Sequence, residues 1–306
     1  MEFKLLKTFH AVATLRSFTR AAHALHLAQS SVSAQVQALE HDLGVPLFDR
    51  LGRRVRLTEA GERLLVYARR MVDLAEAARS ELSGEGEARA TLTVRVPETL
   101  AAQRLPEAVR RFTERFPKAR LVLTTCTLDG LAEDLRKGVV DAGFLLADAV
   151  PGAALDVEVL GSEELVLAAH PGHELARAAR VGVDMLAGET LLLARTDCSY
   201  RKVLERMMAD AGAVPRAVHE FTSVDALRRC AVAGAGVTVL PRCAVADDLA
   251  RGALAELRWD AAPVEVGVLL VRHRDMWLSP TLEAFLGMAA EAVRKAGREG
   301  AEARRP

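Results

Sequence analysis

Two short helical patterns between Ser17 and Gly44 constrain the fold of this chain more than any other part of its sequence. The first follows Ser17, whose hydroxyl is a favourable N-cap. The second begins near Gln29 and repeats apolar residues at helical spacing, at Val32, Val36, Leu39 and Leu43. Its other face carries short uncharged polar side chains, at Gln29, Ser30, Ser33, Gln35 and Gln37. Such a pair predicts a helix-turn-helix whose second helix enters the DNA major groove.

The segments on either side of this pair narrow the interpretation. Residues 3–13 carry a further amphipathic pattern, and residues 47–48 and 55–57 resemble two short strands, with Gly52 suited to the turn. An ordinary helical bundle would explain the helices alone, because their periodicity is a general sign of a core. Four arginines within residues 50–56 instead predict a wing that contacts DNA phosphates or the minor groove. The candidate DNA-contacting residues are Gln29, Ser30, Ser31, Ser33, Gln35, Arg50, Arg53 and Arg54.

The LysR-type transcriptional regulators have a winged helix-turn-helix that this chain resembles over about sixty residues, including SFTRAAHALHLAQSSVSAQVQALEHDLGVPLFDRLGRRVRLTEAG. The family often has Pro where this chain has Ser30 and often Arg where it has Ala34, and both positions lie on the predicted DNA face. The resemblance implies a transcription regulator that binds a palindromic operator in double-stranded DNA as a homo-oligomer, either a dimer or a homotetramer.

Charge and composition agree with a DNA-binding head joined to a sensing body. Residues 1–70 contain eleven basic and six acidic side chains, whereas the 306-residue chain is formally neutral, so the body is acidic. The length suggests two or three domains. The four cysteines lack Cys-x-x-Cys spacing, which predicts a reduced, cytoplasmic protein with no metal site and no cofactor.

A long helix is predicted to follow the wing. Its apolar residues are spaced alternately by four and three, at Leu64, Ala68, Met71, Ala75, Ala78 and Leu82. That average period is typical of a coiled-coil seam, although a helix packed on its own domain is the alternative. We expect Leu64, Met71 and Leu82 to form a dimer interface, and residues 83–87, rich in Gly, Ser and Glu, to be a hinge.

The remainder of the chain alternates strand and helix patterns, which predicts an α/β fold. It resembles the two-lobed, periplasmic-binding-protein-like effector domain of the same family. The predicted domains are a winged helix-turn-helix at 1–58, a linker helix and hinge at 59–90, an effector domain at 91–296 and a disordered tail at 297–306. Within the effector domain, lobe I is predicted at 91–161 and 265–296, and lobe II at 162–264.

Three junctions between a strand and a helix are candidates for the effector site. Ligands of open α/β sheets bind beyond the carboxyl ends of strands, where helix N-termini favour anions. The resemblance implies that the corresponding loops line the cleft between the lobes. Ordinary N-capping also explains Ser or Thr at such positions, and Arg201 could instead pair with a carboxylate. The candidate effector-binding residues are Glu98, Thr99, Cys198, Ser199, Arg201 and Thr222.

These residues predict a small, anionic effector, and two alternatives stay open. Cys198 follows a strand and precedes a helix near several basic residues, a setting that lowers the pKa of a thiol. Its position resembles that of the reactive cysteine in the peroxide-sensing branch of the family, but Met207, Met208 and Ala209 occupy the region of that branch's partner cysteine. A redox-sensing regulator is therefore one alternative, and a cysteine-dependent enzyme, which no motif supports, is the other.

Overall fold

The computed structural model describes residues 1–49, 55–83, 91–125, 128–152, 154–195, 198–260 and 263–302, without the side chains of 73, 76, 77, 79–83 and 298–302. The chain opens with the helices α1 (Phe3–Leu15), α2 (Phe18–Leu25) and α3 (Gln29–Leu43). A strand pair follows, formed by β1 (Phe48–Asp49) and β2 (Arg56–Leu57). The three helices and the wing strands are therefore present where the sequence predicts them.

Local capping and a buried carboxylate fix this head. The Ser17 hydroxyl accepts a hydrogen bond from the backbone N–H of Arg20 at 3.2 Å, which caps α2 as expected. Glu40, which is buried at the end of α3, accepts hydrogen bonds from the N–H groups of Leu47 (2.8 Å) and Phe48 (3.2 Å). These bonds hold the start of the wing against the helices, and the Phe48 ring packs on Phe9 in the core.

A long helix, α4 (Glu59–Ser83), leads out of the head and also contacts the effector domain. Its first turn is capped by the Thr58 hydroxyl, which accepts a hydrogen bond from the N–H of Gly61 at 3.0 Å. Further along, the Arg69 guanidinium binds the buried carboxylate of Asp141 at 2.6 Å. The linker helix is thus joined by a half-buried ion pair to the body of the protein.

The effector domain is built on one mixed sheet of nine strands. The strands are β3 (Thr91–Val96), β4 (Arg120–Thr125), β5 (Ala142–Leu146), β6 (Leu155–Ala169), β7 (Thr190–Ala194), β8 (Ala217–Phe221), β9 (Val237–Pro241), β10 (Ala255–Leu257) and β11 (Val264–His273). The helices are α5 (Glu98–Gln103), α6 (Pro106–Arg115), α7 (Leu131–Arg136), α8 (Ser199–Asp210), α9 (Val224–Val232), α10 (Arg242–Ala250) and α11 (Pro280–Glu302). The strand order is β4-β3-β5-β11-β6-β9-β7-β8, with β10 paired to β6.

Two groups of parallel strands define the lobes, and two long strands join them. β3 pairs in parallel with β4 and β5, and β7 pairs in parallel with β8 and β9. Between the groups, β11 pairs antiparallel with β6 along its whole length, with a register shift next to Val268. The lobe boundary predicted at 161–162 falls within β6, at Gly161, which pairs with Val268 where the register shifts.

The end of the chain also differs from expectation. Residues 297–302, predicted to start a disordered tail, continue α11, since Arg, Glu and Ala in GREGAE favour helix strongly enough to tolerate two glycines. Residues 303–306 lie outside the described residues. No helix in the described ranges is long and apolar enough to cross a bilayer.

Candidate functional site

One face of α3 presents the predicted recognition residues. Gln29 and Ser30 are exposed at its first turn, while Ser31 and Ser33 are half-buried. The Gln29 side chain donates a hydrogen bond to the Ser33 hydroxyl at 2.9 Å. An exposed stripe continues from Ser30 along the helix at helical spacing, through Ala34, Gln37 and His41. This exposed stripe includes Ser30, one of the predicted DNA-contacting residues.

Gln35 does not belong to this stripe. Its side-chain oxygen accepts a hydrogen bond from the Thr8 hydroxyl of α1 at 2.6 Å, and the Thr8 side chain is buried. The oxygen of Gln35 thus ties α3 to α1, and its contact with a base edge stays a prediction. Arg50, Arg53 and Arg54 of the predicted wing lie outside the described residues, and the exposed Arg56 is in β2.

The apolar stripe of α4 is divided between the head and the surface. Ala68 is fully buried and Leu64 half-buried against the core of the head. A second set of α4 residues is exposed and repeats at spacings of four, three and four: Tyr67, Met71, Leu74 and Ala78. Of the three predicted interface residues, Met71 lies on this exposed stripe, Leu64 packs against the head instead, and the side chain of Leu82 lies outside the described part of the helix. An exposed stripe with this period is typical of a coiled-coil contact.

A cavity of about 440 Å³ lies in the cleft between the lobes. Five of the six predicted effector-binding residues line it, namely Glu98, Thr99, Cys198, Ser199 and Thr222. The sequence interpretation missed the apolar part of the wall, which comes from strand ends and adjoining loops: Leu128, Leu145, Leu146 and Phe221. A volume of this size suits a small organic molecule.

Thr99 is the most unusual polar group of this wall. Its side chain is only 3% exposed, and its hydroxyl oxygen has no hydrogen-bond partner among the described residues. Thr99 lines the large cavity and also a smaller one of about 200 Å³ beside it. Burying an unpaired hydroxyl costs about 1–3 kcal/mol, so this atom is placed where a ligand can satisfy it.

Three hydrogen bonds cross the cleft and hold the lobes together. The Ser199 hydroxyl, at the start of α8, donates to the carbonyl oxygen of Leu146 at the end of β5. The Glu98 carboxylate, at the start of α5, accepts from the N–H of Val224 at 3.0 Å and from the Ser223 hydroxyl at 3.3 Å. A molecule bound here therefore touches groups that set the relative position of the lobes.

Arg201 is not part of the cavity wall. It is buried on the other side of α8, where its guanidinium binds Glu205, Glu220 and the carbonyl oxygen of Ala194, each at 2.7 Å. The alternative considered from the sequence, an ion pair with a carboxylate, is the observed one. The basic side chain that does line the cavity is that of Arg195, which is exposed at its rim.

The other ionisable wall groups include Tyr200 and Cys198. Burial raises the pKa of the Tyr200 hydroxyl well above its usual value, and its hydrogen bond with Cys198 acts in the same direction. The phenol is therefore neutral at physiological pH. Within the described ranges, no cluster of three or more His, Cys, Asp or Glu side chains could hold a metal ion.

Two family models match this architecture. The model described as a bacterial regulatory helix-turn-helix protein of the lysR family matches residues 3–62, and the LysR substrate binding domain matches residues 85–294. The first covers α1 to the start of α4, and the second covers the two lobes.

Curated relatives match over nearly the whole chain. The uncharacterized HTH-type transcriptional regulator YwqM of Bacillus subtilis is 36% identical, over 96% of this chain and 100% of the relative. The RuBisCO operon transcriptional regulator of Allochromatium vinosum is 31% identical, over 93% and 94% of the two chains. These relatives are named as transcription regulators, which removes a cysteine-dependent enzyme from the alternatives.

Solved structures of full-length regulators are also similar. LysG of Corynebacterium glutamicum, with the effector Arg bound, has a TM-score of 0.71 and 26% identity, over 96% of this chain and 99% of that chain. CbnR, complexed with its target DNA, has a TM-score of 0.59 and 29% identity, over 95% and 100%. With both family models matched in order along one fold, the chain belongs to the LysR family of transcriptional regulators.

Proposed function

We propose that this regulator binds a palindromic operator as a dimer and responds to a small anionic molecule bound between its two lobes. The observation that carries the proposal is the buried, unpartnered hydroxyl of Thr99 in a cavity whose walls come from both lobes. LysG, a similar protein, is described with a bound effector, and CbnR with its target DNA. Both descriptions support this division of roles between the body and the head.

The N-terminus of α8 supplies the reason for an anion. Ser199 and Tyr200 of its first turn line the cavity, and no described side chain caps this twelve-residue helix. The first N–H groups of a helix lack partners within the helix, and its dipole favours a negative charge there. The Thr99 hydroxyl lines the same cavity and is a suitable donor to the same anion.

The exposed stripe of α4 supports the dimer. Tyr67 and Leu74 are each more than half exposed, and Met71 lies between them. Pairing two such stripes removes their apolar surface from water and sets two heads side by side. Two-fold symmetric heads read the two halves of a palindrome. Pairing of the effector domains into a tetramer stays a prediction.

Thr99→Val is expected to leave the ligand-free protein at least as stable as the wild type and to weaken effector binding about ten- to a hundredfold. Valine has the same shape as threonine but no hydroxyl. The ligand-free protein therefore no longer carries the cost of a buried, unpaired hydroxyl, and the ligand loses a hydrogen bond. The measurement is thermal shift against a panel of small carboxylates and other anionic metabolites, since a ligand of the native state raises the melting temperature.

Thr238→Val is the matched control. Thr238 lies in β9, is fully buried and also lacks a partner for its hydroxyl among the described residues, but it does not line the cavity. It should change stability as Thr99→Val does and leave the ligand response unchanged. Equal loss of response in both variants would show that the cleft is not the effector site.

A redox-sensing role of Cys198 is the second candidate, because this half-buried thiol lines the cavity beside Tyr200. Cys198→Ser keeps the size of the side chain and abolishes thiol chemistry. We expect this variant to retain the wild-type response in a reporter assay with the effector. If Cys198→Ser loses a response to peroxide, and the protein binds no compound of the panel, the result favours oxidation of Cys198 over an anionic effector.

A further inference from the structure

The cleft cavity has one acidic and one basic residue in its described wall, Glu98 and Arg195. Arg195 is exposed at the rim, whereas Glu98 is half-buried beside Thr99. An anionic ligand alone does not need a carboxylate within its own site, and two negative charges close together repel each other in a partly desolvated cleft. The acid can instead contact a positive group of the ligand.

Three helix N-termini lie at the cavity, those of α5, α8 and α9. The Glu98 carboxylate accepts from the N–H of Val224 and from Ser223, at the start of α9. A carboxylate of the ligand is thus excluded from α9 by a negative charge that is in place, and the start of α5 carries Glu98 itself. The N-terminus of α8, at Ser199 and Tyr200, is open to a negative group, and Thr99 lines the same cavity.

Glu98 can still accept from a cation. A carboxylate has about four acceptor positions, and the contacts to Val224 and Ser223 use two of them. Glu98 and Thr99, at the start of α5, both line the cavity, so one small ligand can contact both side chains. An amino acid, with a positive and a negative group separated by one carbon atom, can present one charge to each.

We infer that the effector is a small zwitterion of the amino-acid class, with its carboxylate at Thr99 and the N-terminus of α8 and its ammonium group at Glu98. The inference rests on the proposed function, since it specifies the ligand of the same cleft. The apolar wall formed by Leu145, Phe221 and Val224 then receives the side chain of the amino acid. Glu98 is the residue that distinguishes this ligand from a simple anion.

The experiment compares paired ligands on the full-length protein. Each common amino acid is tested by thermal shift and calorimetry beside the 2-hydroxy acid of the same carbon skeleton, in which a hydroxyl replaces the ammonium group. For the amino acid that binds, we expect the hydroxy acid to bind at least about tenfold more weakly, since its neutral hydroxyl lacks the charge-assisted bond that the ammonium group makes with Glu98. Glu98→Gln should reduce this ratio to about threefold or less, because its amide has nearly the same size but no charge.

Ser223→Ala is the control for the contact between the lobes. It removes the second partner of Glu98 and a cap of α9, so it should lower the melting temperature, but the preference for the amino acid should persist. A hydroxy acid or another simple anion that binds as tightly as the amino acid in the wild type would overturn the inference and leave the cleft proposal standing. A wild type that no compound of either series or of the anion panel stabilises would overturn both.

Discussion

Met71→Glu is expected to convert the regulator to monomers and to lower its affinity for a palindromic operator at least about a hundredfold. Met71 is in the middle of the exposed stripe of α4, between Tyr67 and Leu74. In a symmetric dimer each substitution occurs twice, and burying an unpaired charge costs about 3–5 kcal/mol. A monomer reads only one half-site. Sedimentation velocity measures the mass, and a titration of labelled operator measures the affinity.

Arg63→Gln provides the control for charge. It lowers the net charge by the same amount on the same helix, but Arg63 is mostly exposed and its ion pair with Glu59 at 3.1 Å is a surface contact. This variant should remain a dimer with wild-type affinity. A Met71→Glu protein that sediments as the wild type does would show that the stripe is not the dimer interface.

Ser30→Glu is expected to reduce DNA binding about a hundredfold or more without unfolding the head. Ser30 is exposed in the first turn of α3, where a negative charge suits the helix dipole. On DNA the same charge meets the negative potential of the groove, and like charges in contact cost several kcal/mol. Anisotropy titrations against an operator selected from random duplexes, and against a shuffled duplex, measure both affinities at one fixed salt concentration.

Ala179→Glu introduces the same charge at an exposed position between β6 and β7, far along the chain from the head. It should bind both duplexes as the wild type does. If Ser30→Glu kept its operator affinity while its melting temperature was unchanged, the exposed stripe of α3 would not be the recognition surface.

Local sequence signals predicted the elements and five of the six candidate cavity residues, but not the contacts of every side chain. The N-cap of α2, the wing strands and β11 could be predicted because propensity and alternation are properties of neighbouring residues. The contact of Gln35 with Thr8 joins two helices 27 positions apart, so a helix pattern alone could not reveal it. The amide of Gln35 can form hydrogen bonds either with a base in a DNA groove or with a neighbouring helix.

Two of the predicted site residues pack elsewhere in the structure for geometric reasons. Arg201 is close to Ser199 in sequence, but residues two apart on a helix do not face the same side, and Arg201 points away from the cleft. On α4, apolar residues with an average spacing of 3.5 lie on more than one face of the helix. The face with Ala68 and Leu64 packs against the core of the head. Only tertiary packing decides which face stays exposed.

The central claim is that a molecule in the cleft changes how the heads engage DNA. The direct test is to measure operator affinity with and without a saturating ligand, and ligand affinity with and without saturating operator, on the same wild-type protein. Coupling between two sites is reciprocal, so the two ratios should agree, at about fivefold or more. A ligand that binds the cleft but leaves operator affinity unchanged, with a ratio near one in both directions, would contradict the claim.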